Sequence, residues 1–444
     1  MRFPNIKGTG VCSRREALGL VSALAVLGVK GGEAGPIRRD EGKLAPWKPG
    51  ELKIHLVHTG VGECQFLVFP DGTTMMIDCG DHPAQTRLDL AVPVVPDPSR
   101  LAGEWAARYV LRVNPGGDRV DYMETSHWHA DHTGSASWQS LARGWHAGLK
   151  GCFRSGFGLA AEFLHFGKAI DRGYPDYDDP IRTDDGDLTP LGHMKRLYAA
   201  LKERDGLTVE KFRLGVRDQI VPLKRPVEGF SVFNLCANGR IAMPDGSVRN
   251  VYGDLFENGG KPDVLNENGL SLGHVIRYGR FSYYTAGDFS DPRRMQDGST
   301  RPIEESMAEA VGPVSVAKMN HHGHHSMPDA LVRALCPQVW TACVWDQLHT
   351  VPETLERVCD PANYPEGRRP AVIPGVFPEP RIDRESQAGY YPCIEPSCRS
   401  VGCHVVITVP KNATSFRVEC VRAADESMSV MSARTFPLRC DKTS

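Results

Sequence analysis

The feature that most constrains this chain is Ser126-His127-Trp128-His129-Ala130-Asp131-His132-Thr133-Gly134, which puts three imidazoles and a carboxylate into six consecutive positions. It follows the run Val120-Asp121-Tyr122-Met123-Glu124-Thr125, so a strand ending there leaves these side chains crowded on a loop. Adjacent imidazoles cannot all find local hydrogen-bond partners, and the crowding is costly unless a cation binds them. Zn²⁺ and Mn²⁺ take such mixtures of nitrogen and oxygen ligands. A dinuclear site would divide the set, with His127 and His129 on one ion and Asp131 and His132 on the other.

The chain before this loop reads as two parts. Ser13-Arg14-Arg15-Glu16-Ala17-Leu18 is a twin-arginine pattern, followed by an apolar run from Ala17 to Val29 with no charges. That run is too short to span a bilayer and has the order of a signal peptide. Residues 1–35 are therefore expected to direct export, to the periplasm or outside the cell, leaving a mature protein with no stable membrane anchor. No other segment approaches transmembrane length. The folded part is expected over 50–425 as one large α/β domain with an insertion around 136–260, and 426–444 as a tail. With 52 basic and 54 acidic residues the chain has no global basic field for nucleic acid. Of its 13 cysteines, Cys12 lies in the signal. The Cys-x₄-Cys-x₄-Cys spacing of Cys393, Cys398 and Cys403 fits no standard zinc site, and disulfides are expected there.

Apolar alternation marks strands near 54–57, 64–69 and 73–77, with Pro70-Asp71-Gly72 turning a hairpin that ends in Ile77-Asp78-Cys79-Gly80-Asp81. Helices are expected over 102–112 and 191–201, and strands over 219–223 and 230–235. The seven aspartates between Asp171 and Asp187 lack the regular ligand positions of an EF-hand and read as a solvated loop near the site. A second hairpin, 273–277 and 281–285, follows Asn266-Glu267-Asn268-Gly269 and ends in Ala286-Gly287-Asp288. A third apolar strand, 314–318, runs into Lys318-Met319-Asn320-His321-His322-Gly323. Strand alternation puts Lys318, Asn320 and His322 on one face, while an earlier strand end leaves His321 open as well. A helix is expected from Asp329, a strand over 338–344, and closing strands over 405–409 and 415–420.

His-x-His-x-Asp-His resembles the signature of the metallo-β-lactamase superfamily. The Gly60-x-Gly62 turn and Lys-x-x-His-His-Gly resemble the hydrolase domain of the DNA-internalisation competence proteins (ComEC-type). The resemblance implies a four-layer αββα sandwich with two divalent ions, zinc or manganese, at one end of the sheets. It implies that Asp78 orients the metal loop, that Asp288 bridges the ions, that one of His321 and His322 completes the second site, and that His349 stands near it. Lys318 is a candidate for stabilising charge on a reacting oxygen, and Asp131 for guiding a proton. Many members supply a third histidine to the first ion, yet His146, His165, His193 and His274 sit in no recognisable motif, so Asn268 or water is left for that position. The implied activity is hydrolysis by a metal-activated hydroxide, on a phosphodiester or other phosphoester. Nucleic acid as a partner rests on the resemblance alone. The alternatives are an acyl hydrolase of β-lactamase or lactonase type, or a non-catalytic binding protein on the same scaffold.

Overall fold

The computed structural model describes residues 42–82, 92–134, 149, 151–253, 267–290, 302–377, 389–399 and 402–439. The expected signal (1–35), His146 and part of the 136–260 insertion lie outside these residues. Among the described residues no helix is long and apolar enough to cross a membrane.

The chain is mixed α/β, with two large mixed sheets. The first runs in the order Val430–Pro437, Ser415–Arg422, Cys403–Val409, Leu52–Leu56, Cys64–Val68, Thr74–Cys79, Arg119–Glu124, His165–Asp171, Thr208–Lys211. Its strands are antiparallel as far as Thr74–Cys79 and parallel beyond. The second runs Ala371–Ile373, Val339–Thr341, Val316–Lys318, Phe281–Ala286, Gly273–Tyr278, Phe230–Ala237, Arg240–Ala242, Val248–Asn250. It is parallel on its first side and antiparallel from Phe281–Ala286 onward.

Period-two alternation explains how the sheets pack. Leu67, Met75 and Ile77 of the first sheet share one apolar core with Ile276, Tyr283 and Val316 of the second. Their neighbours Phe66, Val68 and Met76 point the other way, into a core closed by helices Ala102–Val113 and Pro190–Asp205. Tyr284, Ala317 and Trp340 do the same on the second sheet, against helices Ile303–Ala308, Asp329–Leu335 and Pro352–Cys359.

Two expectations are corrected. Residues 219–223 form no strand: the Gln219 side chain is spent on the loop, accepting from Arg213 N and donating to Lys211 O, each at 2.8 Å. Within the expected tail, Val430–Pro437 is a full strand of the first sheet, with Phe436 stacked on Phe416 at 5.2 Å. Two strands, His165–Asp171 and Thr208–Lys211, fall within the expected insertion and extend the parallel side.

Candidate metal centre

All the segments singled out above leave the same end of the two sheets. Asp78 lies at the end of Thr74–Cys79, and the histidine loop follows the adjacent parallel strand Arg119–Glu124. Across the core, Asp288 follows Phe281–Ala286 and the paired histidines follow its parallel neighbour Val316–Lys318. Carboxyl ends of parallel strands are where open α/β sheets collect ligands, since each turn there exposes side chains held by a rigid strand.

The loop itself is held by backbone. Glu63 N donates to Asp131 O at 2.8 Å, and Asp81 N donates to Ala130 O at 2.9 Å. A Cβ on Gly80 would lie 1.7 Å from Asp131 O, so the loop seats only against glycine. Asp78 is fully buried at φ 59°. Its Oδ1 accepts from Ser126 N at 2.7 Å, and its Oδ2 meets Ser126 Oγ at 2.7 Å and His132 Nδ1 at 2.8 Å. That contact fixes the His132 ring and turns Nε2 towards the centre.

There the side chains converge. His132 Nε2 lies 3.0 Å from Asp288 Oδ2 and 3.5 Å from Asp131 Oδ2. His322 Nε2 lies 3.1 Å from the same Asp288 oxygen and 3.2 Å from the same Asp131 oxygen. His127 Nε2 is 3.1 Å from His129 Nδ1 and 3.9 Å from Asp288 Oδ2. His127, His132, His322 and Asp288 are at most 1 % exposed, whereas His129 and His321 are half-buried.

Of the paired histidines, His322 enters the centre. The strand ends at Lys318, and Asn320–Gly323 is a tight turn with His321 and His322 both at left-handed φ (48° and 55°). The turn corrects the expected alternation. Asn320 points away from the centre, donating to Glu304 Oε1 at 2.7 Å and accepting from Tyr284 OH at 3.1 Å. His321 places Nε2 3.3 Å from Asn268 Nδ2. His349 stacks on the His322 ring at 4.9 Å.

Lys318 faces the intersheet core, fully buried, with Nζ 3.0 Å from Glu63. Burial weakens its charge, but Glu63, with Cys343 and Asp288, more than offsets burial and holds its pKa above the ordinary lysine value. Glu63 also lies 3.4 Å from His322 Nδ1. Sequence reading missed Glu63; the available signal was a carboxylate just before an apolar strand, with a buried lysine elsewhere in need of a partner. It equally missed Arg172, which is 1 % exposed, donates to both Glu267 oxygens at 2.8 and 2.6 Å and covers the Trp128 ring at 3.8 Å. Glu267 Oε1 in turn accepts from Trp128 N at 3.0 Å, which ties the metal loop to the insertion.

None of the described candidates for a third histidine comes to the centre. His274 bonds Glu124 at 2.8 Å, His165 bonds Asp205 at 2.8 Å, and His193 is buried against Phe153. The aspartate-rich loop is likewise committed elsewhere: Asp179 to Lys211 and Arg240, Asp185 to Lys195, Asp187 to Arg196. A cavity of about 750 Å³, lined by Arg225, Glu228, Tyr278 and Lys411, opens at the opposite end of the sheets, remote from these ligands.

The electrostatics are those of a cation cage. Burial disfavours charge on His132, yet Asp288, Asp131 and Asp78 override it and hold its pKa well above the ordinary value. Burial acts likewise on His322, but Asp288 and Asp131 raise it to about 9. The carboxyls of Asp288 and Asp131, which burial alone would raise, are held well below their usual range by His132 and His322. The carboxylates of Asp131 and Asp288 thus set up a field that favours positive charge at this point. Glu63, His132, Asp288 and His322 each bring a ligand atom within 4.8 Å of the others. Asp288 Oδ1 is buried without a hydrogen-bond partner, which would be costly unless a ligand satisfies it. Buried His, Asp and Glu side chains here are placed to bind a metal ion. Compared with known protein families and with curated proteins, the chain matches none.

Proposed function

We propose that this chain is a metal-dependent hydrolase of the metallo-β-lactamase superfamily, exported by the twin-arginine route and acting on a phosphodiester or other phosphoester. The observation that carries the reading is the convergence of His132 and His322, from opposite sheets, on the carboxylates of Asp131 and Asp288. The face-packed sheets with helices on each outer side are read as the four-layer αββα sandwich. His127 Nε2 and His129 Nδ1 would hold one ion, Asp131, His132 and His322 a second, and Asp288, with Oδ1 still unpartnered, would span them. Zinc suits this donor set best and manganese next. Bound there, the pair supplies Lewis acidity and lowers the pKa of water towards neutrality.

The chain's own residues do the rest. Asp78 and Ser126 fix the His132 ring, and Glu63, held by Lys318, lies 3.4 Å from His322 Nδ1 on the side away from the centre. Asp131, 7 % exposed, is the carboxylate through which a proton can leave. Lys318 acts as a positioning residue, because its ammonium is spent on Glu63 behind the centre.

The test is metal analysis of the purified protein with a panel of chromogenic phosphodiesters, lactones and cephalosporins. Phosphodiester turnover that chelation abolishes and zinc or manganese restores is the expected result. Turnover of lactone or cephalosporin alone would make the enzyme an acyl hydrolase. Full metal occupancy with no turnover on any of them would leave a binding protein.

A further inference from the structure

Remote in sequence from the proposed centre, the fold gathers three thiols. Cys398 closes the turn Pro396–Cys398, Cys403 opens strand Cys403–Val409, and Cys420 lies on Ser415–Arg422. The register sets Cys403 opposite Arg422 and Val405 opposite Cys420, so the two cysteines are diagonal neighbours on one sheet face. One sulfur from each of the three lies within 4.8 Å of the other two, and all three residues are buried. The disulfides expected at Cys393, Cys398 and Cys403 are absent: every described cysteine is a free thiol, and Cys398 Sγ and Cys403 Sγ stand 3.6 Å apart. A disulfide needs about 2.05 Å between sulfurs, and one disulfide among three thiols leaves one over. By contrast, 3.6 Å is close to the ~3.8 Å ligand–ligand edge of a tetrahedron with ~2.3 Å zinc–sulfur bonds.

The surroundings add a second observation. Glu395 is 1 % exposed; its Oε1 accepts from Ser432 Oγ at 3.0 Å, and Ser432 is the cross-strand partner of Cys420. Its Oε2 is buried with no hydrogen-bond partner. The Arg434 guanidinium lies 4.0 Å from that unpartnered oxygen.

We propose that Cys398, Cys403 and Cys420 form a second, structural metal site for a thiophilic closed-shell ion, zinc(II). Binding exchanges three thiol protons, released to solvent, for three zinc–sulfur bonds, with no change of oxidation state. Three thiolates on a dication leave one negative charge, which Arg434 faces. The ion would pin the turn Pro396–Cys398 onto the sheet.

The test uses the full-length protein purified from zinc-supplemented cells. Zinc-edge X-ray absorption of the wild type is expected to show a sulfur shell at ~2.3 Å, which the nitrogen- and oxygen-only ligands of the proposed centre cannot supply. Cobalt-substituted protein is expected to show a near-ultraviolet thiolate-to-cobalt charge-transfer band. That band should disappear in Cys420→Ser and persist in Asp288→Asn. The absorption measurement needs no variant, so a Cys420→Ser chain that fails to fold does not spoil the test. A zinc shell without sulfur overturns the proposal, whether the mass is lower by two hydrogens (a disulfide) or all three thiols alkylate freely.

Discussion

His322 Nε2 and His132 Nε2 stand 3.1 and 3.0 Å from the same oxygen of Asp288, although the two imidazoles come from different sheets. One carboxylate oxygen therefore joins the two sheets.

Replacing Asp288 by Asn keeps the volume and removes that charge. If two dications sit on either side of it, their repulsion is no longer offset at short range. Asp288→Asn is expected to bind at least one ion fewer per chain and to lose activity with it. Metal counting beside wild type checks this; full occupancy at wild-type affinity would make Asp288 a strand-end cap.

Asp78 touches no substrate space, yet it holds both Ser126 and His132. Asp78→Asn should lower metal affinity or turnover by about 10–100-fold, the usual cost of losing a partner that orients a ligand. Competition with a chromogenic chelator reads the affinity directly.

The Lys318–Glu63 pair is buried between the sheets. Glu63→Gln leaves the lysine charge unpaired, and breaking such a pair from one side costs about 3–5 kcal/mol. Lys318→Met combined with Glu63→Gln should recover much of that loss, because no buried charge remains. Denaturant unfolding of the two singles and the double gives the coupling; additive losses would mean that the pair is not what holds either group.

Acid stability follows from a different pair. His58 N donates to His404 Nδ1 at 3.0 Å, which requires that nitrogen unprotonated. Burial lowers His58 to about 4 and His404 to about 3. The unfolded chain, with histidines near their ordinary value of about 6.5, therefore binds more protons below that pH. Stability present above pH ~6.5 should fall as pH drops towards the folded values, by a few kcal/mol (roughly 1.4 per pKa unit). Thermal unfolding of metal-free protein from pH 7 to 4.5 checks the slope, and His404→Gln should flatten it.

Much of the site could be read from the chain because it rests on local chemistry. His127, His129, Asp131 and His132 lie within six positions, and the strands before them, before Asp288 and before His321 follow clear apolar patterns. What could not be read depends on geometry made only by folding. Glu63 acquires a role because Lys318 meets it across the core. The choice of His322 over His321 depends on a left-handed turn that breaks the period-two rule. The strand Val430–Pro437 looks like a polar tail because it sits at the sheet edge, where Ser, Arg and Thr face solvent or neighbouring loops. No composition signal separates such a strand from a tail.

The proposed function requires a metal ion at the meeting point of His132, His322, Asp131 and Asp288. Anomalous diffraction from crystals of the zinc-loaded protein, recorded on both sides of the zinc edge, tests it most directly. A peak within bonding distance of His132 Nε2, His322 Nε2 and Asp288 is the predicted result, with a second beside His127 and His129. Crystals that show zinc elsewhere and none at this point, with the four side chains still converging on it, would rule out a metal centre here.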